Sequence, residues 1–318
     1  MNQDSSPLEA AGFPQVTLAL VAYLQEQYVA DAIKAALAQT YRPLQIILSD
    51  DCSGDRTFKI IQAEARAYSG PHEVVVNRNE HNLGLAGHLN RVAELASGSI
   101  IALAAGDDVS SPDRVSRLVE VFRANSAIKA VMSGYTEINS GGDPLRSVVL
   151  PRDFQLFTGL KQIAKAGGWI GMGATFAYDR ECFFLPGSIP GEIVCEDRLL
   201  PFRAALLGQI GFVREALVSY RVHDASVSAG TSFKSAEYER KHQAVLLQEL
   251  EWGLKQRLLT DAQHKSVAKA IERYPRHYLR SRRLAAYPLI NRLYSAYRGR
   301  DVWQQRSRSW FLAFLGIR

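Results

Sequence analysis

Two acidic pairs about ninety residues apart carry the chemistry of this chain: Asp107-Asp108, straight after the apolar run 100–105, and Glu196-Asp197, ahead of Tyr220-Arg221-Val222-His223. Paired carboxylates at a strand end can hold a hard divalent cation, Mn2+ or Mg2+, against a diphosphate, because such cations take oxygen ligands. A second acidic pair on a later segment can supply the base that deprotonates an incoming hydroxyl. A third acidic turn, Asp50-Asp51-Cys52-Ser53-Gly54-Asp55, closes an opening strand–helix–strand unit. A carboxylate there can accept a hydrogen bond from N3–H of uracil or thymine, and Asp50 is the better placed of the two.

Each group also has a plainer reading. Asp107 and Asp108 could serve the N-terminus of the helix that follows Pro112, although Asp113 already occupies that neighbourhood. Asp50-Asp51 could be ordinary turn chemistry. Glu196 and Asp197 could be first-turn helix acids, stabilising by about 0.3–1 kcal/mol. His223 is either a diphosphate or metal contact or a structural imidazole, with Arg221 packing or pairing beside it. Trp169, in the glycine-rich loop 167–173 that includes Gly171, either stacks on an acceptor sugar or sits in the core.

The positioning elements follow from periodicity. Residues 16–23 form an apolar, β-branched run of strand length, and 25–39 carry Val29, Ile33, Ala36 and Leu37 at helical spacing. Strand, helix, strand, helix and strand follow at 44–48, 55–67, 73–76, 85–95 and 99–103. Pro112 is placed at a helix N1 position with Ser110 and Ser111 as caps, and Val115, Leu118, Val119 and Phe122 make the buried stripe. A fifth strand is expected at 128–132. Residues 140–153 read as loop, 154–166 as helix, 196–207 as a helix with the acidic pair in its first turn, 217–222 as a short strand, and everything from 235 on as helix. Such alternation means parallel βαβ units, whose ligands bind beyond the carboxyl ends of the strands. Tyr23, Asp50-Asp51 and Asp107-Asp108 all fall at such ends.

With 318 residues, 47% of them hydrophobic, the chain can bury one large or two modest cores. No apolar run approaches the roughly 18 residues that span a bilayer, and residues 1–14 lack the cationic start and apolar stretch of a signal peptide. Three scattered cysteines, Cys52, Cys182 and Cys195, argue against a disulfide framework or zinc site, so a reducing cytoplasm is expected. The net charge of +6 hides an asymmetry: residues 273–318 hold eleven arginines against one acid, Asp301, a net of +10, so the remainder totals −4. Tyrosines and tryptophans are interleaved with those arginines. The segment is either a solvated cationic face or an interfacial helix on an anionic membrane. No nucleic-acid motif accompanies it, and nucleic acid is not an expected partner.

In order and spacing, residues 15–230 resemble glycosyltransferase family 2, the inverting enzymes of GT-A fold. The family's Thr-Tyr-Asn strand end stands here as Ala22-Tyr23-Leu24, and its Ala-Gln-Thr-Tyr is unchanged at 38–41. Asp-Asp-Gly-Ser appears as Asp50-Asp51-Cys52-Ser53, and Asn-x-Gly…Asn as Asn82, Gly84 and Asn90. The Glu-Asp pair is Glu196-Asp197, followed by Arg203, and Tyr-Arg-x-His…Ser-x-Ser is Tyr220, Arg221, His223, Ser226 and Ser228. The chain departs where many members carry Asp-x-Asp-Asp, since the first acid is Ala105; Leu24 replaces the asparagine and Leu89 the usual arginine.

The resemblance implies an α/β GT-A fold, Rossmann-like, with a mostly parallel central sheet and a helical C-terminal extension. It implies transfer of a sugar from a nucleoside diphosphate, UDP or dTDP, to a hydroxyl of a lipid-linked or growing glycan of a bacterial surface polysaccharide, at the inner face of the cell membrane. Asp197 would be the catalytic base. Ala22, Tyr23, Asp50, Asp51, Asn82, Gly84, Asn90 and Asp107 would hold the donor, Asp107, Asp108 and His223 the metal, and Trp169, Gly171 and Glu196 the acceptor. The expected divisions are an arm at 1–14, a nucleotide-sugar half at 15–150, an acceptor half at 151–232 and a basic helical extension at 233–318. Two other roles fit the composition: a non-catalytic sugar-nucleotide-binding protein, or a peripheral membrane scaffold of a polysaccharide assembly.

Overall fold

The computed structural model describes residues 13–149, 159–223 and 235–285, with side chains to residue 274 in the last segment. Most of the N-terminal arm, Ser226 and Ser228, and the basic segment past 285 lie outside the described residues.

Four strands build the first half of a nine-stranded sheet: β1 (Val16–Ala22), β2 (Leu44–Asp50), β3 (Glu73–Arg78) and β4 (Ile100–Ala105), all paired in parallel. Helices α1 (Val29–Leu37), α2 (Thr57–Ala67) and α3 (Gly84–Leu95) make the crossovers. Every residue of β2 is buried, as expected of a strand covered on both faces and reading as a continuous apolar run. The register sets Ala22 beside Asp50 and Val21 beside Ala105, so β1, β2 and β4 end level with one another. That level edge brings Tyr23, Asp51 and the turn after β4 together.

Beyond β4 the sheet turns mixed. Its order is β3-β2-β1-β4-β8-β6-β9-β5, with β7 attached to β6; here β5 is Val109–Ser110, β6 Ile128–Ile138, β7 Pro144–Val148, β8 Phe176–Asp179 and β9 Gln209–Arg221. β8 runs antiparallel to β4 and β6, whereas β6 and β9 are parallel. Four expectations are corrected here. Part of the stretch read as loop at 140–153 is β7, hairpinned onto β6. The short strand at 217–222 is the end of a 13-residue β9, whose exposed Arg214-Glu215 interrupts the apolar pattern. The fifth strand runs six residues past Met132. The helix after Pro112, α4, spans Arg114–Ala124 with Asp113 at its N-cap, so Pro112 precedes the helix and Ser110 belongs to β5.

The remaining helices are α5 (Leu160–Lys165), α6 (Glu181–Phe184), α7 (Glu196–Leu207), α8 (Ala236–Lys255) and α9 (Asp261–Ala285). One core lies between the sheet and α1, α2 and α4, through residues such as Ile33, Ile61 and Leu118. The other joins the opposite face to α3, α5 and α7, and Leu246, Leu250, Val267 and Ile271 of α8 and α9 belong to it. The last two helices are therefore continuous with the core. Among the described residues no helix is long and apolar enough to cross a membrane.

Candidate active site

A single cavity of about 870 Å3 runs from the level strand ends to the start of α7. Ala22, Tyr23, Asp51, Asn82, Gly84, Asp107 and Asp108 line one end; Trp169, Gly173, Glu196, Asp197 and Arg198 line the other, and Tyr220 and His223 also border it.

At the strand ends the two aspartates of the Asp50-Asp51 turn divide their work. Asp50 is fully buried and accepts from the Ser53 amide at 2.9 Å, with Arg78 3.4 Å away. It holds the turn together, with Cys52 at φ +60°, and does not reach the cavity. The preference for Asp50 as the residue in contact with a donor is not met by its place in the fold, since Asp51 and not Asp50 borders the cavity. Asp51 spends Oδ1 on Asn79 Nδ2 (2.7 Å) and the Leu83 amide (2.9 Å) and borders the cavity. Asn82 Oδ1 accepts from the Gly84 amide at 2.8 Å, which starts α3 at the cavity wall. Asn90 faces elsewhere: its amide exchanges two hydrogen bonds with the backbone of Ile189, at 2.9 and 2.8 Å, and leaves the donor set.

Asp107 and Asp108 sit in the tight turn between β4 and β5. Asp108 Oδ1 accepts from the Arg221 amide at 2.8 Å, while Oδ2 is buried with no protein partner among the described residues. Burial, reinforced by the Asp107 charge, pushes its carboxyl well above the ordinary range. Asp107 Oδ2 lies 3.0 Å from His223 Nε2, and its carbonyl accepts from Arg221 Nε at 3.0 Å. Arg221 also donates to the Ser140 carbonyl at 2.9 Å and lies over the Tyr28 ring, which in turn packs on His223 with centroids 4.8 Å apart. An unpartnered buried carboxylate oxygen beside a second carboxylate is the chemistry a hard cation fits. His223 does not join them as a preformed third ligand: among the described residues no three His, Cys, Asp or Glu side chains converge in that way, and the imidazole is engaged by Asp107.

At the far end α7 begins at Glu196, so both acids project from its first turn into the cavity. They are enclosed by protein yet wetted from the cavity side. Burial raises the Glu196 carboxyl, and the Asp197 charge adds to it. Burial also raises Asp197, opposed by Arg198, by the Trp169 indole and by the Gly173 amide, each of which favours the carboxylate. The groups that favour the carboxylate form thus gather on Asp197 rather than on Glu196. Trp169 Nε1 donates to Asp197 Oδ2 at 3.2 Å, and the indole, 45% exposed, forms part of the wall. Gly171 is corrected out of the set, because it packs on Met132 behind the loop. Gly173 is the glycine that matters, since a Cβ there would collide with Glu196 Oε1. Arg203 is buried away from the cavity, paired with Glu249 at 2.7 Å.

Sequence reasoning missed Arg198, Glu239 and Tyr274, which complete this end, and His88, which lines the strand-end side with Nε2 2.6 Å from Ser49 Oγ. Charged residues on helices carry no local mark that they face a cavity. The basic segment taken to begin at Arg273 cannot be separated there, because Tyr274 is a wall residue.

The comparisons bear on family and fold. The profile of Glycosyl transferase family 2 matches residues 17–183, more than half of the chain. An uncharacterized glycosyltransferase of Nostoc sp. is 26% identical over 235 residues, 72% of this chain and 71% of that protein. The putative glycosyltransferase EpsE of Bacillus subtilis is 32% identical over 121 residues, 38% of this chain and only 43% of EpsE. Among solved structures, S. aureus TarS 1–349 with UDP-GlcNAc superposes with a TM-score of 0.63 at 15% identity, covering 82% of this chain and 72% of that one. The mannosyltransferase PcManGT of Pyrobaculum calidifontis, in complex with GDP-Man and Mn2+, gives 0.56 at 16% identity, covering 95% and 85%. At such identities the superpositions speak for the fold. The architecture is that of a GT-A glycosyltransferase. The chain belongs to glycosyltransferase family 2.

Proposed function

We propose that the protein is a metal-dependent, inverting glycosyltransferase that moves a sugar from UDP or dTDP to a hydroxyl of a lipid-linked or growing glycan. The observation that carries this reading is one continuous cavity with oxygen ligands at one end and an enclosed carboxylate pair at the other. Asp51, at the end of β2, accepts N3–H of the base, and Tyr23 and the start of α3 flank the nucleoside. Asp107 and Asp108 would hold Mn2+ or Mg2+, with His223 steadying Asp107; when bound, the cation neutralises charge on the departing diphosphate. Asp197 takes the proton of the acceptor hydroxyl, which attacks the anomeric carbon from the side opposite the diphosphate, so the configuration inverts without a covalent intermediate. Trp169 offers a flat apolar face for the acceptor ring. The divisions at 15–150, 151–232 and 233–318 are proposed as nucleotide-sugar half, acceptor half and basic extension, the last meeting the anionic inner face of the cell membrane.

Relatives named for surface-polymer synthesis, such as the putative teichuronic acid biosynthesis glycosyltransferase TuaG of Bacillus subtilis, support the acceptor class. Asp197→Asn tests the reading. Turnover of the best nucleotide sugar should fall at least about a hundredfold, while donor-induced thermal stabilisation stays. Joint loss of rate and donor binding would move Asp197 to the donor site and sink the assignment.

A further inference from the structure

The two C-terminal helices do more than close the core. Arg198, the residue after the proposed base, is gripped by Glu239 of α8 through both guanidinium nitrogens, at 2.9 and 3.0 Å, and both side chains are buried. Its Nε donates at 2.9 Å to the carbonyl of Gly167, which also accepts from His242 Nε2 of α8 at 3.1 Å. Tyr274 of α9 lies over the Arg198 guanidinium at 5.4 Å and against Gly167, where any Cβ would meet its ring. Gly168, at φ +87°, abuts the carbonyl of Arg198 so closely that a Cβ would collide with it. The next residue is Trp169, whose indole reaches Asp197.

We propose that α8 and α9 are part of the acceptor site, with Glu239, His242 and Tyr274 acting through Arg198 and Gly167 as positioning residues that hold Trp169 against Asp197. The proposal rests on the reading of Asp197 as base and of Trp169 as the face for a neutral sugar ring. A loop of glycines has no side chains with which to fix itself, and its two positive-φ residues leave it many conformations when unpinned. The clamp selects the one in which the indole N–H meets the carboxylate. The residues that hold Trp169 in place then lie outside the segment that the family profile covers, which ends at residue 183, whereas Trp169 itself lies inside it. The titratable and charged groups facing Asp197 are Glu196, Arg198 and Cys195 beside it in the chain, and Tyr178 from β8.

A double-mutant cycle on the full chain tests the clamp without knowledge of the acceptor. The readout is the acid limb of the pH–rate profile for hydrolysis of whichever nucleotide sugar turns over fastest in a panel of UDP-, dTDP- and GDP-sugars. If Tyr274 acts through Trp169, Tyr274→Ala moves the limb up by roughly half a pH unit, because Asp197 loses a hydrogen bond that favours its ionised form. In a Trp169→Phe background the same change moves it by less than about 0.2 unit, since there is no bond left to lose. Tyr274→Phe, which keeps the ring, returns the limb toward its original place. Equal shifts in both backgrounds, or no shift in either, overturn the clamp. If Tyr274→Ala does not fold, Glu239→Gln takes its place in the cycle, with the same requirement that its shift be lost in the Trp169→Phe background. Failure of the underlying reading is separate, because it would appear as full hydrolysis by Asp197→Asn.

Discussion

Trp169→Phe isolates one hydrogen bond at the proposed base and keeps an aromatic ring. A hydrogen bond to a charged group contributes about 1.5–3 kcal/mol. The Trp169–Asp197 contact, at 3.2 Å, is at the long end of the N–H···O range. The indole is also half open to solvent, so water can take up the vacated lone pair. A loss of about 1 kcal/mol is the reasonable figure, and at 1.36 kcal/mol per unit it corresponds to about 0.7 pKa unit. The sign is fixed: the indole stabilises the carboxylate and so lowers its proton affinity, and its removal raises it. The base works only when ionised, so activity should begin to fall at a higher pH in the variant. Donor hydrolysis followed from about pH 5 to 9, with no acceptor present, reads this directly. A limb that stays in place, or moves to lower pH, would refute the role of Trp169 at Asp197, and with it the assignment of the limb to that carboxylate.

Asp107→Asn and Asp108→Asn should each abolish turnover and remove the Mn2+-dependent part of donor-induced stabilisation, measured as a thermal shift with and without the ion; full activity in both would take the metal away from this turn. Gly168→Ala should cost roughly 2–5 kcal/mol in denaturant unfolding, from about 1–2 for a left-handed residue plus about 1–3 for the collision with the Arg198 carbonyl; a loss under about 1 would mean that the loop relaxes freely. Deleting residues 286–318, which hold six of the arginines, should release the protein from anionic vesicles at low salt, since each basic residue near such a surface is worth about 1 kcal/mol. The intact chain should bind those vesicles and lose them as salt rises, and its failure to bind at low salt would end the membrane reading.

The strand-end side of the cavity was legible because its carboxylates lie at the ends of apolar strands, and parallel strands with crossover helices bring successive ends to one edge whatever the loops do. Tyr23, Asp51, Asp107 and Asp108 come to one cavity by that rule, and α7 starts with its acidic pair in the first turn, as the spacing implies. The sequence favours Asp50, yet Asp51 is the one that borders the cavity, because adjacent residues at a strand end point in opposite directions and one extra residue in the turn exchanges them. Asn90 has the right type in the right motif but hangs over Ile189, a partner 99 residues away. β9 was seen only at its end: the exposed pair Arg214 and Glu215 interrupts its apolar pattern where it pairs with β6 across a register shift. Nothing local marks Glu239 as facing a cavity, since its reason for burial is Arg198, 41 residues earlier.

Buried arginines recur where this fold joins segments with no shared secondary structure, three of them beside the cavity and Arg203 behind it. Arg221 ties the Asp107 carbonyl to that of Ser140, and Arg114 joins the carbonyls of Leu103 and Ala174 at 2.8 and 2.7 Å. Arg198 joins Gly167 to Glu239, and Arg203 gathers the carbonyls of Cys182, Phe183, Gly187 and Ser188 beside Glu249. A loop leaves backbone carbonyls without ladder partners, and a buried carbonyl must be satisfied by some donor. The guanidinium carries five N–H groups in a rigid plane and keeps its charge under desolvation far better than an ammonium. Burial brings Arg114 down only to about 10, so it stays cationic at neutral pH behind the turn that carries Asp108. Three of these side chains also act on the cavity acids, Arg114 and Arg221 on Asp108 and Arg198 on Asp197, which is why a lysine at any of those three would lose both the cross-links and the fixed direction of the charge.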